Sequence, residues 1–501
     1  MARTSNTKQD AAEQGAVAVQ ELDDFSRLLE QEIKPKTEEA QKEIQRAVKS
    51  LAEHALDHAA LITDDAVETI QSLIAEIDRK LTDQVNAIMH HPDFQTLEAT
   101  WRGLFRMVSE TETDSMLQIK VLNASKKDVG RMLRRYQGAL WDQSPLFKKL
   151  YEEEYGTAGG QPFGAIIGDY YFDQSASDIE VMKGMARIAA ASHAPFIAAA
   201  GPSLLGMESW QEMSNPRDIK KLLTTPDYAA WRSFRESEDS KYVGLTLPRY
   251  LARMPYGAEG EVVEEFAFEE DVAGANSSKF VWSNAAYAMG SNITRAFKEY
   301  GWCSQIAGFN TGGLVEDLPM HTFPSDDGGV DVKCPTEIAI TDRREKELSD
   351  SGLMPLVFKK NTDQAFFIDA SSVHDAPRFD DPVATSNAKL GSKLTYMFAT
   401  CRFAHYLKCM VRDHLGSHKE ERELRDWLHK WIMQYVLTNP EQHSEEEKAR
   451  KPLADAGVEV EPDPENPGYY RSKFYLRPHY QLQGLSISLR LVSRIPKAQG
   501  S

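Results

Sequence analysis

PDFQTLEATWRGLFRMVSETETDSMLQIKV, from Pro92 to Val121, joins an amphipathic helix directly to a strand-like run. Asp93 stands where an N-cap belongs, and Leu97, Trp101, Leu104, Phe105 and Val108 recur three and four residues apart, giving one wide apolar stripe. Thr111 to Ser115 break that period. From Met116 the run MLQIKVL is short, apolar and partly alternating, which predicts a strand entering a core. A helix feeding a buried strand is ordinary α/β grammar and says nothing yet about function.

Downstream the same grammar continues. Ser125, with Asp128 three residues on, opens a helix as a capping box does, and Ser144-Pro145 opens the next. FGAIIGDY reads as a buried strand, Ser177 to Ala191 as a helix and PFIAAAG as a second buried strand, which together make a βαβ unit with parallel strands. Pro226 to Glu236 is expected to be helical, YVGLTLPRYL to be a strand that Pro248 either ends or confines to a sheet edge, and Asn284 to Tyr300 to be a helix. Tyr256 to Asn276, acidic and Gly-rich, reads as a solvated loop. Between Gly301 and Pro377 short strands and turns take over: TEIAI alternates, and PLVFKK-NTD-QAFFID has the form of a hairpin. Asn387 to Gly416 reads as one long apolar helix, Glu420 to Val436 as an amphipathic one, and Asn439 to Pro467 as an extended surface excursion.

Upstream, Asp64 to His91 is an amphipathic helix of seven or more turns. Before it, Leu22, Phe25, Leu28, Leu29 and Ile33 form a short apolar stripe that ends before Pro35, which reads either as a helix docking on its own domain or as a tethered recognition helix whose stripe enters a partner's groove. At the other end Leu485, Ile487, Leu489 and Leu491 alternate with Ser486, Ser488 and Arg490, the pattern of a pairing strand.

A length of 501 residues suggests about three domains at ~150 residues each. The expected division is a flexible arm with an amphipathic helix over 1–60, a core over 61–380 and a C-terminal domain over 381–501. No window approaches the ~18 uninterrupted apolar residues of a transmembrane helix, and MARTSNTKQDAAEQG has no apolar signal region, so a cytoplasmic product is expected. Four scattered cysteines suit a reducing compartment. A net charge of −18 argues against a nucleic-acid partner, which would need Lys and Arg to neutralise phosphates.

Several constellations invite a chemical reading, and each is outweighed. No G-x-G-x-x-G follows the first strand of the βαβ unit and no phosphate loop occurs anywhere. Ser371, Ser372, His374 and Asp375 supply triad residue types without a nucleophile elbow. Cys401, His405 and Cys409 lie at i, i+4 and i+8, so the outer pair is ~12 Å apart along the helix, too far for one zinc ion. The acidic run from Glu259 to Asp271 lacks EF-hand spacing. No catalytic residue, metal site or cofactor is therefore expected, and the alternative is a cytoplasmic α/β enzyme whose site is not recognised.

Read as strings, the residues carry a resemblance. PDFQTLEATWRGL, FGAIIGDYYFD (Phe163 to Asp173), GGLVEDLPMHTF (Gly312 to Phe323), DVKCPTEIAITDRREKELS (Asp331 to Ser349), CRFAHYLKCMVRDHLGS (Cys401 to Ser417) and SKFYLRPHYQLQGLSISLRLVSRIP (Ser472 to Pro496) resemble, in order, the large sheath subunit of type VI secretion systems, the TssC/VipB family. The resemblance implies a mixed α/β, contractile tail-sheath-like fold with long N-terminal helices, a βαβ-containing core and a C-terminal pairing strand. It implies a structural subunit that co-polymerises with a small sheath subunit of the TssB/VipA type and with neighbouring sheath subunits, on a baseplate and around an inner tube of the Hcp type, and that contracts to propel the tube. It further implies that Leu22, Phe25, Leu28, Leu29 and Ile33 engage a ClpV-type unfoldase, that Leu485, Ile487, Ser488, Leu489 and Leu491 pair between subunits, and that a C-terminal helix bearing Arg422, Arg425, Asp426, His429 and Lys430 faces the tube.

Overall fold

The computed structural model describes residue 46 and residues 66–214, 218–258, 260–272, 277–324, 329–413, 421–462, 469–478 and 489–496. By contact the chain divides into two compact units, residues 1–91 with 255–271, and residues 92–254 with 272–501.

In the first unit the described chain is helix α1 (Ala66–Met89) and the segment from Pro255 to Asp271. The acidic segment is not merely solvated. Asn86 of α1 reaches it with both ends of its amide, donating to the Glu269 carbonyl at 2.9 Å and accepting from the Asp271 N–H at 2.9 Å. Glu270 accepts from Tyr256 N–H and Glu269 from Ala258 N–H, while Phe268 is buried. Carboxylates that look like a solvated cluster thus serve as acceptors for the loop's own backbone donors.

In the second unit, α2 (Pro92–Ser109) and α3 (Lys126–Arg135, capped by Ser125) precede the βαβ unit. The βαβ unit is as expected: β1 (Ile166–Phe172), α4 (Ala176–Ser192, capped by Ser175) and β2 (Phe196–Ala200), with β1 and β2 parallel. β3 (Val243–Leu247) follows, then α5 (Ala285–Tyr300, capped by Asn284), β4 (Leu314–Val315), β5 (Met354–Phe358) and β6 (Ala365–Phe367). The six-stranded sheet has the order β1-β2-β3-β5-β6-β4; its first four strands are parallel and the β5–β6 hairpin supplies the antiparallel turn-back. Alternation along β2 feeds both faces: Phe196, Ala198 and Ala200 enter the core with α4, and Ile197 enters the core with α5. A strand buried on both faces reads as a continuous apolar run, which is why PFIAAAG was legible.

The expected single helix over 387–416 is two, α6 (Pro382–Gly391) and α7 (Leu394–Asp413). The break has a cause in the fold. Ser372 N–H donates to the Ser392 carbonyl and Leu394 N–H to the Ala370 carbonyl, so backbone groups at 392–394 exchange helical partners for a neighbouring segment. α8 (Glu421–Ile432) follows. The expected excursion over 439–467 is instead a short helix, Glu445–Arg450, closed by a capping box at Ser444, and a ten-residue strand, β7 (Leu453–Pro462). Its acidic look belongs to one face only: Ala456, Val458 and Val460 are buried against α7 and α8, and Glu459 and Glu461 face outward. β7 pairs with β8 (Tyr469–Pro478), and β8 with β9 (Leu489–Pro496), all antiparallel. TEIAI makes only one bridge, Thr336 to Tyr250, rather than a strand.

Candidate assembly interface

The segment that opened the sequence reading departs furthest from it. Helix α2 starts at Pro92, so Asp93 lies in its first turn rather than at the expected N-cap, and the helix is turned inside out. Its inward face is small and polar. Gly103 and Met107 are buried against α5. Glu98 is paired with Arg253 at 2.6 Å and with Arg102 at 2.7 Å. Thr100 donates to Asp169 at 2.6 Å, and Arg106 donates to the carbonyls of Glu316 and Asp317. Burial alone would raise the Glu98 carboxyl; the two guanidiniums outweigh it and hold it below the usual range. The stripe faces solvent, with Leu97 56%, Trp101 63% and Phe105 73% exposed and Phe94 and Val108 also exposed. A helix normally buries its apolar stripe, so this orientation leaves a large unsatisfied hydrophobic surface.

The run after it is not the buried strand expected. Asp114 fixes its start: the carboxylate accepts from Met116 and Leu117 N–H and from Lys298, which together hold it down to about 2. Tyr170 holds its end by donating to the Ala124 carbonyl at 2.7 Å. In between, Lys120 pairs with Glu154 at 2.5 Å, but among the described residues no backbone group from Gln118 to Asn123 makes a hydrogen bond. Met116, Val121 and Leu122 are exposed. A strand-forming sequence, tethered at both ends and unpaired in between, therefore continues the exposed face of α2 in sequence.

Residues singled out from the sequence fall as follows. Leu424, Leu428 and Ile432 of α8 are buried against β7, and Arg422, Arg425, Asp426, His429 and Lys430 are exposed. Leu22, Phe25, Leu28, Leu29 and Ile33 lie outside the described residues, as do Leu485, Ile487 and Ser488. Leu489 and Leu491 are in β9, opposite Leu476 and Phe474 of β8, so this part of the terminal strand pairs with its own chain along one side and stands at the edge of a three-stranded sheet.

The triad types are not assembled. His374 Nδ1 lies 2.9 Å from Ser240 Oγ and 3.0 Å from the Ser237 carbonyl, Ser371 donates to Asp369 and accepts from Lys393, and Ser372 donates to the Ser392 carbonyl. His405 donates through Nε2 to the Ser192 carbonyl at 2.8 Å, away from Cys401 and Cys409. Among the described residues no group of three or more His, Cys, Asp or Glu side chains is placed to hold a metal, and no helix is long and apolar enough to cross a membrane.

Two family profiles match the chain in succession. The VipB profile (EvpB/VC_A0108, tail sheath N-terminal domain) matches residues 71–374, and its partner profile (tail sheath gpW/gp25-like domain) matches residues 383–495. The type VI secretion system sheath protein TssC1 of Pseudomonas aeruginosa is 60% identical over 486 residues, covering 97% of this chain and 98% of that protein. Among solved structures, a chain of the anti-feeding prophage baseplate aligns with TM-score 0.33 at 10% identity over 77% of this chain and 81% of its own. The Listeria innocua sheath tail protein aligns with TM-score 0.34 at 9% identity over 77% and 66%. With profiles and relative spanning nearly its whole length, the chain belongs to the VipB/TssC family of type VI secretion system sheath proteins.

Proposed function

We propose that the chain is the large subunit of a contractile type VI secretion sheath, paired with a small sheath subunit of the TssB/VipA type. The pair polymerises in the cytoplasm with neighbouring sheath subunits, from a baseplate and around an inner tube of the Hcp type, and contraction drives the tube outward. Family membership along the whole chain supports this reading. The observation that carries it within the structure is the inverted helix α2, whose Trp101 and Phe105 are spent on solvent in an isolated chain. A helical sheath is a heterologous contact repeated without closure, and its work comes from the difference between two packings of the same subunits.

Within this reading the exposed Arg422, Arg425, Asp426, His429 and Lys430 of α8 face the tube. The terminal strand about Leu485, Ile487, Ser488, Leu489 and Leu491 adds to a neighbouring subunit's sheet, consistent with the edge position of β9. The stripe Leu22, Phe25, Leu28, Leu29 and Ile33 is the handle by which a ClpV-type unfoldase takes contracted sheaths apart. Co-expression with the small subunit, followed by sedimentation and negative-stain microscopy, tests the whole reading. Tubes of regular diameter are expected. A chain that stays monomeric beside the small subunit, or that turns over a nucleotide with activity lost on a point change in it, overturns the reading.

A further inference from the structure

Helices α3 and α4 pack closely through glycines. A Cβ on Gly130 of α3 would stand 3.0 Å from Val181 Cγ2 of α4, and a Cβ on Gly184 of α4 would stand 2.8 Å from Leu133 Cδ1 of α3. Residues 130 and 133 thus meet 181 and 184 in the same order, so the two helices run side by side and their outer faces adjoin. Lys127, Arg131, Arg134 and Arg135 are exposed on α3, and Lys183 and Arg187 on α4. Arg134 follows Leu133 at the contact and Lys183 precedes Gly184. The Arg187 guanidinium lies 5.9 Å from the ring of Trp141, in the 3-10 turn Gly138–Gln143 that follows α3. The six cations therefore share one surface. Only Arg131 has an ion pair there, with Asp128 at 3.2 Å; among the described residues the other five have none.

In a chain of net charge −18 this patch is a local reversal of sign. Two copies of such a chain repel, so a contact between them needs a patch of the opposite sign at the contact itself, where screening over ~8 Å leaves the nearest charges in control. The complement is present in the same sequence. Residues 256–271 hold seven acidic side chains and no Lys or Arg. Glu269 and Glu270 accept from the segment's own N–H groups, whereas Glu261, Glu264 and Glu265 are exposed and, among the described residues, have no ion pair. Val262 beside them is 69% exposed. An acidic tip of this form can take charge-assisted hydrogen bonds from Arg and Lys presented by two neighbouring helices. Because the patch and the tip are different surfaces, the contact is heterologous and repeats along an axis without closing.

We infer that the cationic face of α3 and α4 is a docking surface for an acidic peptide segment, residues 261–265 of a second copy of this chain. This rests on the sheath reading above, and it makes the contact one between neighbouring large subunits.

The test is sedimentation of the full-length chain co-expressed with the small subunit. Arg134→Glu with Arg135→Glu, and separately Glu264→Arg with Glu265→Arg, are each expected to keep the small subunit and to lose sedimenting polymer at least tenfold. Lys360→Glu, an exposed cation elsewhere, is expected to keep both. All four site changes in one chain are expected to restore polymer. Oxidation of assembled Arg134→Cys with Glu264→Cys is expected to give a ladder of covalent multiples on a denaturing gel that neither single cysteine gives. Wild-type polymer from both reversed pairs, or no restoration in the fourfold variant, overturns the inference and leaves the sheath reading standing. A cross-link that leaves the chain monomeric overturns it in favour of a contact within one copy. Loss of the small subunit by a reversed pair whose thermal melt matches wild type overturns it in favour of that chain as the partner. Nucleic acid that co-purifies with wild type and is lost on reversal of the cations also overturns it. A wild-type chain that forms no polymer with the small subunit overturns the sheath reading, and the inference with it.

Discussion

Gly103 of α2 faces Tyr287 of α5 with no room for a methyl group: a Cβ on residue 103 would stand 2.4 Å from Tyr287 Cδ2 and 2.4 Å from Ser283 Oγ. On the other side of the crossing, a Cβ on Gly290 of α5 would stand 2.6 Å from Met107 Sδ. This close approach draws one face of α2 inward and thereby fixes which face is left outside.

Gly103→Ala should therefore destabilise the chain despite the helix propensity of alanine, which alone favours the change by ~1 kcal/mol. Tyr287 is buried and cannot step aside, so overpacking should cost about 1–3 kcal/mol and leave a net loss. Denaturant unfolding of the purified complex checks the sign. A variant as stable as wild type would mean that α2 can lift from α5 freely.

Glu98→Ala should unfix α2 through Arg253, whose side chain is buried and would lose the paired carboxylate. Removing one partner of such a pair costs about 3–5 kcal/mol, whereas an exposed pair is worth under ~1 kcal/mol. Because the Glu98 carboxyl is held low, its contribution is present above the ordinary carboxylate range and is lost as pH falls. The variant should accordingly lose part of the wild type's stability difference between pH 7 and pH 4, measured by urea unfolding at the two values.

Two buried imidazoles predict a second pH dependence. Burial, with Lys408 nearby, pushes His193 down to about 4, and burial outweighs the Ser192 hydrogen bond to push His405 down to about 3. Unfolded histidine titrates at ~6.5, so between that value and ~4 the unfolded chain binds more protons and stability is lost as pH falls. His405→Gln, which can still donate to the Ser192 carbonyl, should flatten the profile of unfolding free energy between pH 6.5 and 4. An unchanged slope would assign that loss to other groups.

Asn86→Ala should free the segment 255–271 from α1, since it removes the donor to Glu269 and the acceptor for Asp271 in one change. Both bonds are only part-buried, so their loss costs about 0.5–1.5 kcal/mol each. Limited proteolysis within 255–271 should accelerate severalfold, and Asn86→Asp, which keeps the acceptor but not the donor, should fall between the two.

Ser488→Pro removes a backbone donor from the alternating run about Leu485 to Leu491 without touching its apolar face. If that run pairs between subunits, the variant should form a folded complex with the small subunit that fails to sediment as sheath, while Ser488→Thr sediments normally. Full-length sheaths from the proline variant would remove the strand from the assembly contact.

Local chemistry carried much of the chain. Ser125 and Ser144 cap the helices they were read to open, because a cap is a contact within four residues. Phe196–Ala200 was legible because a strand buried along its whole length reads as a continuous apolar run, and the half-buried edge strand Ile166–Phe172 because its isoleucines and aromatics favour a pleated surface. The charged face of α8 was legible for the same reason, since Leu424 and Leu428 recur at the helical period.

What the tertiary structure alone decided is which way a legible element turns and what it meets. The stripe Leu97, Trp101, Phe105 and Val108 is plain in the sequence, but periodicity records only that one face is apolar, not whether that face is covered by this chain or left for another. The deciding contacts come from far along the chain: Tyr287 against Gly103, Arg253 on Glu98, and the Glu316 and Asp317 carbonyls on Arg106. The same holds for Met116 to Leu122, a strand by composition that finds no ladder among the described residues, and for the helix that stops at Ser392 because residues 370–372 take its hydrogen bonds. Sequence determined secondary structure where the partner groups are near neighbours; long-range packing decided burial, and with it which apolar surface the chain leaves exposed.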